Sequence, residues 1–222
     1  MAPDLQQFAN RRAAGVELAA RLTDYAGRSD LLVLGLPRGG VPVAYEIATA
    51  LGAPLDVFLV RKLGVPGHPE LAMGAIASGG VQVLNQDVLG WYGLPQAAID
   101  QVAADERVEL ERREREYRRT QPPLAIEDRV VILVDDGLAT GSTMKAAVQS
   151  VKALRPARTV VAVPVGARDT CEALTGLADD VVCAHTPEPF SAVGLWYRDF
   201  SQTSDEEVRE LLEKGRITGP VE

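Results

Sequence analysis

Short runs of continuous apolar residues alternate along this chain with segments whose apolar positions recur every three or four residues. Residues 31–36 (LLVLGL), 54–60 (PLDVFLV), 129–134 (RVVILV), 159–165 (TVVAVPV) and 180–185 (DVVCAH) are of the first kind. Runs this short predict strands buried on both faces. Residues 41–52 (VPVAYEIATALG), 142–155 (STMKAAVQSVKALR) and 167–178 (ARDTCEALTGLA) are of the second kind and predict helices, the first closed by Gly52. An opening helix is expected within residues 8–27, with Asn10 as its cap and Gly27 near its end. The alternation implies an α/β fold, a mostly parallel sheet with helices on both faces.

Two segments break the pattern. Residues 64–84 (GVPGHPELAMGAIASGGVQVL) are rich in Gly and Pro before two short alternating runs, which predicts a mobile loop followed by a hairpin. Residues 96–119 (QAAIDQVAADERVELERREREYRR) predict a long helix whose second half is almost entirely charged. Its alternating signs suit a solvated face with intrahelical pairs, and a contact between subunits is the alternative.

Composition narrows the function classes. Hydrophobic residues make up 46% and charged residues 24% of the 222, as expected of a globular chain with a sizeable core. With 23 basic against 31 acidic residues the formal charge is -8, so nucleic acid is not an expected partner. No apolar run approaches a membrane span and the amino terminus lacks a signal-peptide core, so a cytoplasmic location without membrane association is expected. Cys171 and Cys183 are too few for a disulfide framework and not at metal-ligand spacing; both read as small core residues.

The chemistry concentrates in residues 130–143, VVILVDDGLATGST. An apolar strand ends there in Asp135 and Asp136. Gly137, Leu138, Ala139, Thr140, Gly141, Ser142 and Thr143 then form a strand-to-helix turn, whose free backbone amides favour a phosphate. Two carboxylates beside a dianion would repel it unless they face something else; ribose hydroxyls or a hydrated Mg²⁺ ion would serve. The stretch therefore fits a ribose 5-phosphate. Asp136 as a simple helix cap is the bland alternative. No G-x-x-x-x-G-K-[ST] accompanies the strand, which argues against a P-loop NTPase, and no G-x-G-x-x-G follows the first strand.

The stretch VILVDDGLATGST resembles the hallmark of the type I phosphoribosyltransferases: an apolar strand, two acids, a small-residue loop and T-G-x-T. The resemblance covers roughly residues 30–65 and 128–200. It implies a single domain over residues 1–222, with a loop, hairpin and helical insertion at about 64–121 and a small hood at about 185–200. It also implies 5-phosphoribosyl 1-pyrophosphate (PRPP) as substrate, Mg²⁺ as cofactor and a nucleobase or amine as acceptor; a homodimer is the expected assembly. LPRGGVP stands where the family carries its pyrophosphate loop, which assigns Arg38, Gly39 and Gly40 to pyrophosphate. VRKLG adds Arg61 and Lys62, so Arg38, Arg61 and Lys62 are the expected catalytic cations. In residues 185–208, Phe190 is the first choice for stacking on a base and Trp196 or Tyr197 the second. Asp199 joins Asp135 and Asp136 as a candidate metal ligand.

On this reading pyrophosphate leaves C1 and a nitrogen nucleophile attacks that carbon, with catalysis by positioning and electrostatics. The stretch from Leu63 to Leu71 is expected to close over the site and exclude water. His68 reads as a solvated loop residue and His185 as structural. Relatives acting on 6-oxopurines carry an acid three residues after the second acid of the pair, where this chain has Ala139. The expected acceptor is therefore not a 6-oxopurine. A protein of the same fold that senses PRPP or a nucleotide is the alternative.

Overall fold

The computed structural model describes residues 7–119, 121 and 124–216. Its main sheet contains β1 (Leu31–Gly35), β2 (Leu55–Val57), β6 (Val130–Val134), β7 (Arg158–Val165) and β8 (Asp180–His185), all parallel, in the order β2-β1-β6-β7-β8. Successive residues of each central strand feed opposite cores, as the period of two requires. Val33, Ile132 and Ala162 pack under α1 (Arg11–Ala19), α2 (Gly40–Leu51) and α7 (Asp205–Arg216). Leu34, Leu133 and Val163 pack under α5 (Ser142–Ala153) and α6 (Arg168–Thr175). The expected α/β layering is present.

Helix ends follow the local chemistry. Asn10 caps α1 by accepting from the Ala13 amide, and Gly52 closes α2 in the left-handed region. α1 is shorter than the pattern predicts: it stops at Ala19, and residues Thr23–Tyr25 form a separate 3₁₀ turn before Gly27. Two helices were not expected, α7 and α3 (Gln86–Tyr92). Asn85 caps α3, and the Ser204 hydroxyl accepts from the Glu207 amide at the start of α7.

Three expectations are corrected. The run 54–60 is not one strand: β2 ends at Val57, and Val60 begins β3 (Val60–Val65) of a second sheet. Residues 63–71 are not an open loop. They form a hairpin between β3 and β4 (His68–Ala77), turned at Gly67 with φ 82° and followed by β5 (Val81–Leu84) in the antiparallel order β3-β4-β5. Gly64 and Pro66–Gly67 are bulge and turn signals within a ladder, where a Cβ on Gly64 would lie 2.8 Å from the Pro69 carbonyl oxygen. Third, Cys171 and Cys183 are joined in a disulfide that ties α6 to β8.

The charged helix α4 (Gln96–Arg118) combines a solvated face with a buried seam. Glu109 binds Arg112 and Arg113 along the exposed side, while Ile99, Ala103, Leu110 and Tyr117 face the core. Arg118 locks its end to Asp56 of β2 in a largely buried ion pair.

Candidate functional site

The strand order makes the site. β1 and β6 lie side by side, but the chain leaves β1 toward β2 and leaves β6 toward β7, so their two exit loops diverge. The crevice between such loops is where an open parallel sheet binds ligands. Residues 36–40 form one wall and residues 135–143 the other.

The first wall approaches the second at backbone contact. Leu36 donates its amide to the Val134 carbonyl at 2.8 Å. A Cβ on Gly39 would lie 2.0 Å from Oδ2 of Asp136, and one on Gly40 would lie 2.5 Å from the Val134 oxygen. The glycines of LPRGGVP thus let the loop touch the acidic strand end. The Pro37–Arg38 peptide is cis. Arg38 leans toward Asp205 of α7, with 3.8 Å between Nη1 and Oδ1.

The second wall is held from below. Leu138 donates to Val165 at 2.9 Å and accepts from Ala167 at 2.8 Å, and the Thr170 hydroxyl donates to the Ala139 carbonyl at 2.7 Å. Gly141, the residue before α5, has φ 67° and ψ 6°. That conformation turns the loop so that the first-turn amides of α5, which have no intrahelical acceptor, open to solvent. No acidic residue lies in this turn. Thr140, Ser142 and Thr143 are exposed there, with the Thr140 and Ser142 hydroxyl oxygens 3.1 Å apart.

The acids differ in their partners. Among the described residues Asp135 accepts only the Asp136 amide, at 2.9 Å; burial, then the neighbouring Asp136 charge, hold its pKa well above the ordinary carboxylate value. Burial raises Asp136 too, opposed by Arg11, whose Nε donates to Oδ2 at 2.7 Å. Each carboxyl thus has a single hydrogen-bond donor among the described residues, and Arg11 pairs with Asp136 alone.

Arg11 is the residue that pattern reading missed. The chain before α1 is stapled to the carboxyl-terminal segment: Phe8 donates to Trp196 and accepts from Arg198, and Asp199 donates to Ala9. This seats Arg11 against Asp136, the Ser201 carbonyl at 2.6 Å and the Phe200 ring at 3.9 Å. The adjacent cap and cation, Asn10–Arg11, was the only signal, and its partner is 125 residues away.

Residues 190–200 cover the acids without opening their aromatics equally. Tyr197 is buried and donates its hydroxyl to the Asp136 carbonyl at 2.5 Å, which removes it as a stacking candidate. Phe190 and Trp196 remain half-buried beside Phe8 and Val165, and the buried Trp196 Nε1–H has no acceptor among the described residues. Val193 rests against Gly137, where a Cβ would approach to 2.5 Å. Asp199 is exposed, takes the Ser201 amide and lines a small recess with Arg12 and Glu207. Among the described residues no cluster of three or more acids, His or Cys is poised for a metal, so the structure does not join Asp199 to the acid pair.

Arg61 and Lys62 lie within β3, where neighbouring side chains point to opposite faces. Arg61 binds Glu106 of α4 at 2.6 Å, whereas Lys62 faces α5. The structure therefore separates them. His68 begins β4 with its ring 5.7 Å from Tyr92, and His185 bonds Glu17 at 2.5 Å.

A crevice at the switch point, two carboxyls short of donors and an anion-ready turn make one constellation. The sequence profile of the phosphoribosyl transferase domain matches residues 4–185. The chain belongs to the phosphoribosyltransferase family. It is 49% identical over 210 residues to a Mycobacterium tuberculosis protein named for that activity, covering 95% of this chain and 47% of the relative. The chain thus spans about half the length of that curated relative. The crystal structure of TT1426 from Thermus thermophilus superposes with a TM-score of 0.85 at 45% identity, covering 94% of this chain and 99% of that one. A lesser likeness, 32% over 129 residues, links it to the bifunctional protein PyrR of Chloroflexus aurantiacus, over 57% of this chain and 65% of PyrR. Among the described residues no helix is long and apolar enough to cross a membrane.

Proposed function

We propose that this phosphoribosyltransferase domain transfers the 5-phosphoribosyl group of PRPP to a nitrogen nucleophile other than a 6-oxopurine, releasing pyrophosphate. The observation that supports it most is the pairing of two donor-poor acids with the Gly141 turn across one crevice. Asp135 and Asp136 accept the ribose hydroxyls, which offsets the burial that raises both pKa values. The α5 amides, Thr140, Ser142 and Thr143 hold the 5-phosphate; hydrogen bonds to a charged group contribute roughly 1.5 to 3 kcal/mol each.

Arg38, Gly39 and Gly40 take the pyrophosphate on the facing wall. Arg61 and Lys62 stand apart from this wall, Arg61 paired with Glu106 on one face of β3 and Lys62 facing α5 on the other. As the C1–oxygen bond breaks, its electron pair leaves with the pyrophosphate and Arg38 offsets the growing charge. The acceptor nitrogen then bonds to C1 and loses its proton.

The acid pair fits Mg²⁺, because an ion that keeps most of its shell as water and substrate oxygens needs one or two carboxylates. When bound, Mg²⁺ would add positive charge beside the ribose and pyrophosphate oxygens. Phe190 and Trp196 are the ring surfaces available to an acceptor. Ala139 is exposed and carries no proton-transferring group, so the loop offers a 6-oxopurine no acid or base.

Calorimetry tests the assignment. The Asp135→Asn/Asp136→Asn variant should melt cooperatively yet lose PRPP binding. Unchanged affinity would remove the acids from the ribose site.

A further inference from the structure

The second sheet lies between two helices that treat its faces differently. Its Arg61–Ile76 row meets α4, where Arg61 pairs with Glu106 and Ile76 is buried. The opposite row, Lys62–Ala75–Val83, faces α5 across a cavity of about 530 Å³. Ala72 and Gly74 widen the gap on the sheet side, and Ala146 does so on the helix. A sheet face opposing a helix is ordinarily filled by large apolar side chains. Small residues leave it open here, at a volume within the roughly 300–1,000 Å³ of small-molecule sites.

Two lysines also meet at this cavity. Ser142, Lys145, Ala146 and Gln149 fall on one face of α5, at spacings of three, four and seven. Lys62 enters from the sheet. Among the described residues neither lysine has a carboxylate within ion-pair distance, although the chain carries a formal charge of -8 and Arg11, Arg12, Arg61, Arg113 and Arg209 each bind one. Two unpaired ammonium groups on one cavity attract an anion. Asn85, Gln86 and Asp87 line the cavity where α3 begins and supply donors and a carboxylate acceptor. They complement ring nitrogens or sugar hydroxyls.

We infer that this cavity between β3–β5 and α5 is a second ligand site, for a nucleotide whose phosphate lies between Lys62 and Lys145. Its base lies over Ala72, Gly74 and Ala75. Ser142 belongs both to this wall and to the turn assigned to the 5-phosphate. An occupant therefore touches the back of that turn; only this coupling rests on the transferase reading.

The test titrates the full chain with AMP, GMP, UMP and inorganic phosphate while ribose 5-phosphate is saturating, which keeps nucleotide out of the turn. At least one nucleotide should bind, more tightly than phosphate alone. Lys145→Glu should weaken it at least tenfold while ribose 5-phosphate affinity, measured separately, stays within twofold. Ala146→Leu fills the cavity without removing charge; it should weaken the nucleotide and melt no lower than the parent. Absence of nucleotide binding at millimolar concentration overturns the inference, as does binding indifferent to Lys145→Glu, or phosphate binding as tightly as any nucleotide. Failure of ribose 5-phosphate to bind the parent chain counts instead against the transferase site, and leaves the Lys145 comparison to decide the cavity.

Discussion

Gly39→Ala isolates the contact on which the site's geometry depends. Gly39 has φ -61° and ψ -31°, an ordinary helical conformation, so alanine meets no backbone strain there. The whole penalty is the new Cβ, 2.0 Å from Oδ2 of Asp136, where real contacts are essentially never under 3.0 Å. The carboxylate oxygen must retreat by about 1 Å, or the loop must lift. That oxygen accepts from Arg11 Nε at 2.7 Å, in a pair whose side chains are only 12% and 16% exposed. Losing a charge-assisted bond costs roughly 1.5–3 kcal/mol, and forcing a side chain off its rotamer adds about 0.5–1.5 kcal/mol. A destabilisation of about 2–4 kcal/mol follows, which for a chain of this size lowers Tm by on the order of 10 °C. Ribose 5-phosphate affinity should fall at least tenfold, because Asp136 no longer meets the sugar where the turn places it. Calorimetry and thermal melts on four proteins decide the matter: parent, Gly39→Ala, Asp136→Ala and the double variant. In the Asp136→Ala background the clash is gone and Gly39→Ala should cost under about 0.5 kcal/mol. An equal cost in both backgrounds would refute the contact as the cause.

Gly141→Val places a branched side chain at φ 67° with its Cβ 2.5 Å from Thr170 Cγ2, and should abolish ribose 5-phosphate binding. Arg38→Ala should weaken pyrophosphate and PRPP while sparing ribose 5-phosphate; equal loss of the monophosphate in both variants would contradict the division of the ligand between the walls. Because burial raises the pKa of Asp135 and Asp136, the folded chain holds more protons than the unfolded one above about pH 3.8, so their contribution to stability falls as pH rises through the folded values. Asp135→Asn keeps the Oδ1 acceptor and removes that cost, so the ligand-free variant should melt above the parent at pH 7, with the gap closing below about pH 4; a lower Tm at pH 7 would contradict the assignment. The disulfide closes a short loop, with a separation of 12 between Cys171 and Cys183, and should contribute about 3 kcal/mol. Reductant should lower Tm by roughly 5–10 °C, and a thiol assay on denatured, unreduced protein should find no free thiol.

The main sheet and the acid turn were legible because their causes are local. Five apolar residues in 130–134 can only be buried twice over, and Gly141 stands where the turn takes a positive φ. What escaped depends on partners far apart in sequence. Arg11 looks like any helix-start cation until Phe8 pairs with Trp196 and carries it to Asp136. Arg61 and Lys62 look like one basic pair, but the strand they occupy sends them to opposite helices. The Gly and Pro content of 64–71 points to a loop because turn and bulge residues inside a ladder have the same composition as mobile chain. Cys171 and Cys183 were separated by a helix end and a strand start, and only the packing of α6 on β8 brings them together. α7 was overlooked although Ser204 and Glu207 have the spacing of a helix start.

The most direct measurement is pyrophosphate release from PRPP with Mg²⁺ present, using adenine, uracil, orotate, hypoxanthine and guanine as acceptors and Asp135→Asn/Asp136→Asn as the inactive reference. Release should depend on an acceptor and vanish in the reference variant, with hypoxanthine and guanine poor. If none of these bases supports turnover, small amines extend the panel. Tight PRPP binding with no turnover by any acceptor would contradict the transferase reading and favour a sensor, and efficient use of either oxopurine would contradict the role given to Ala139.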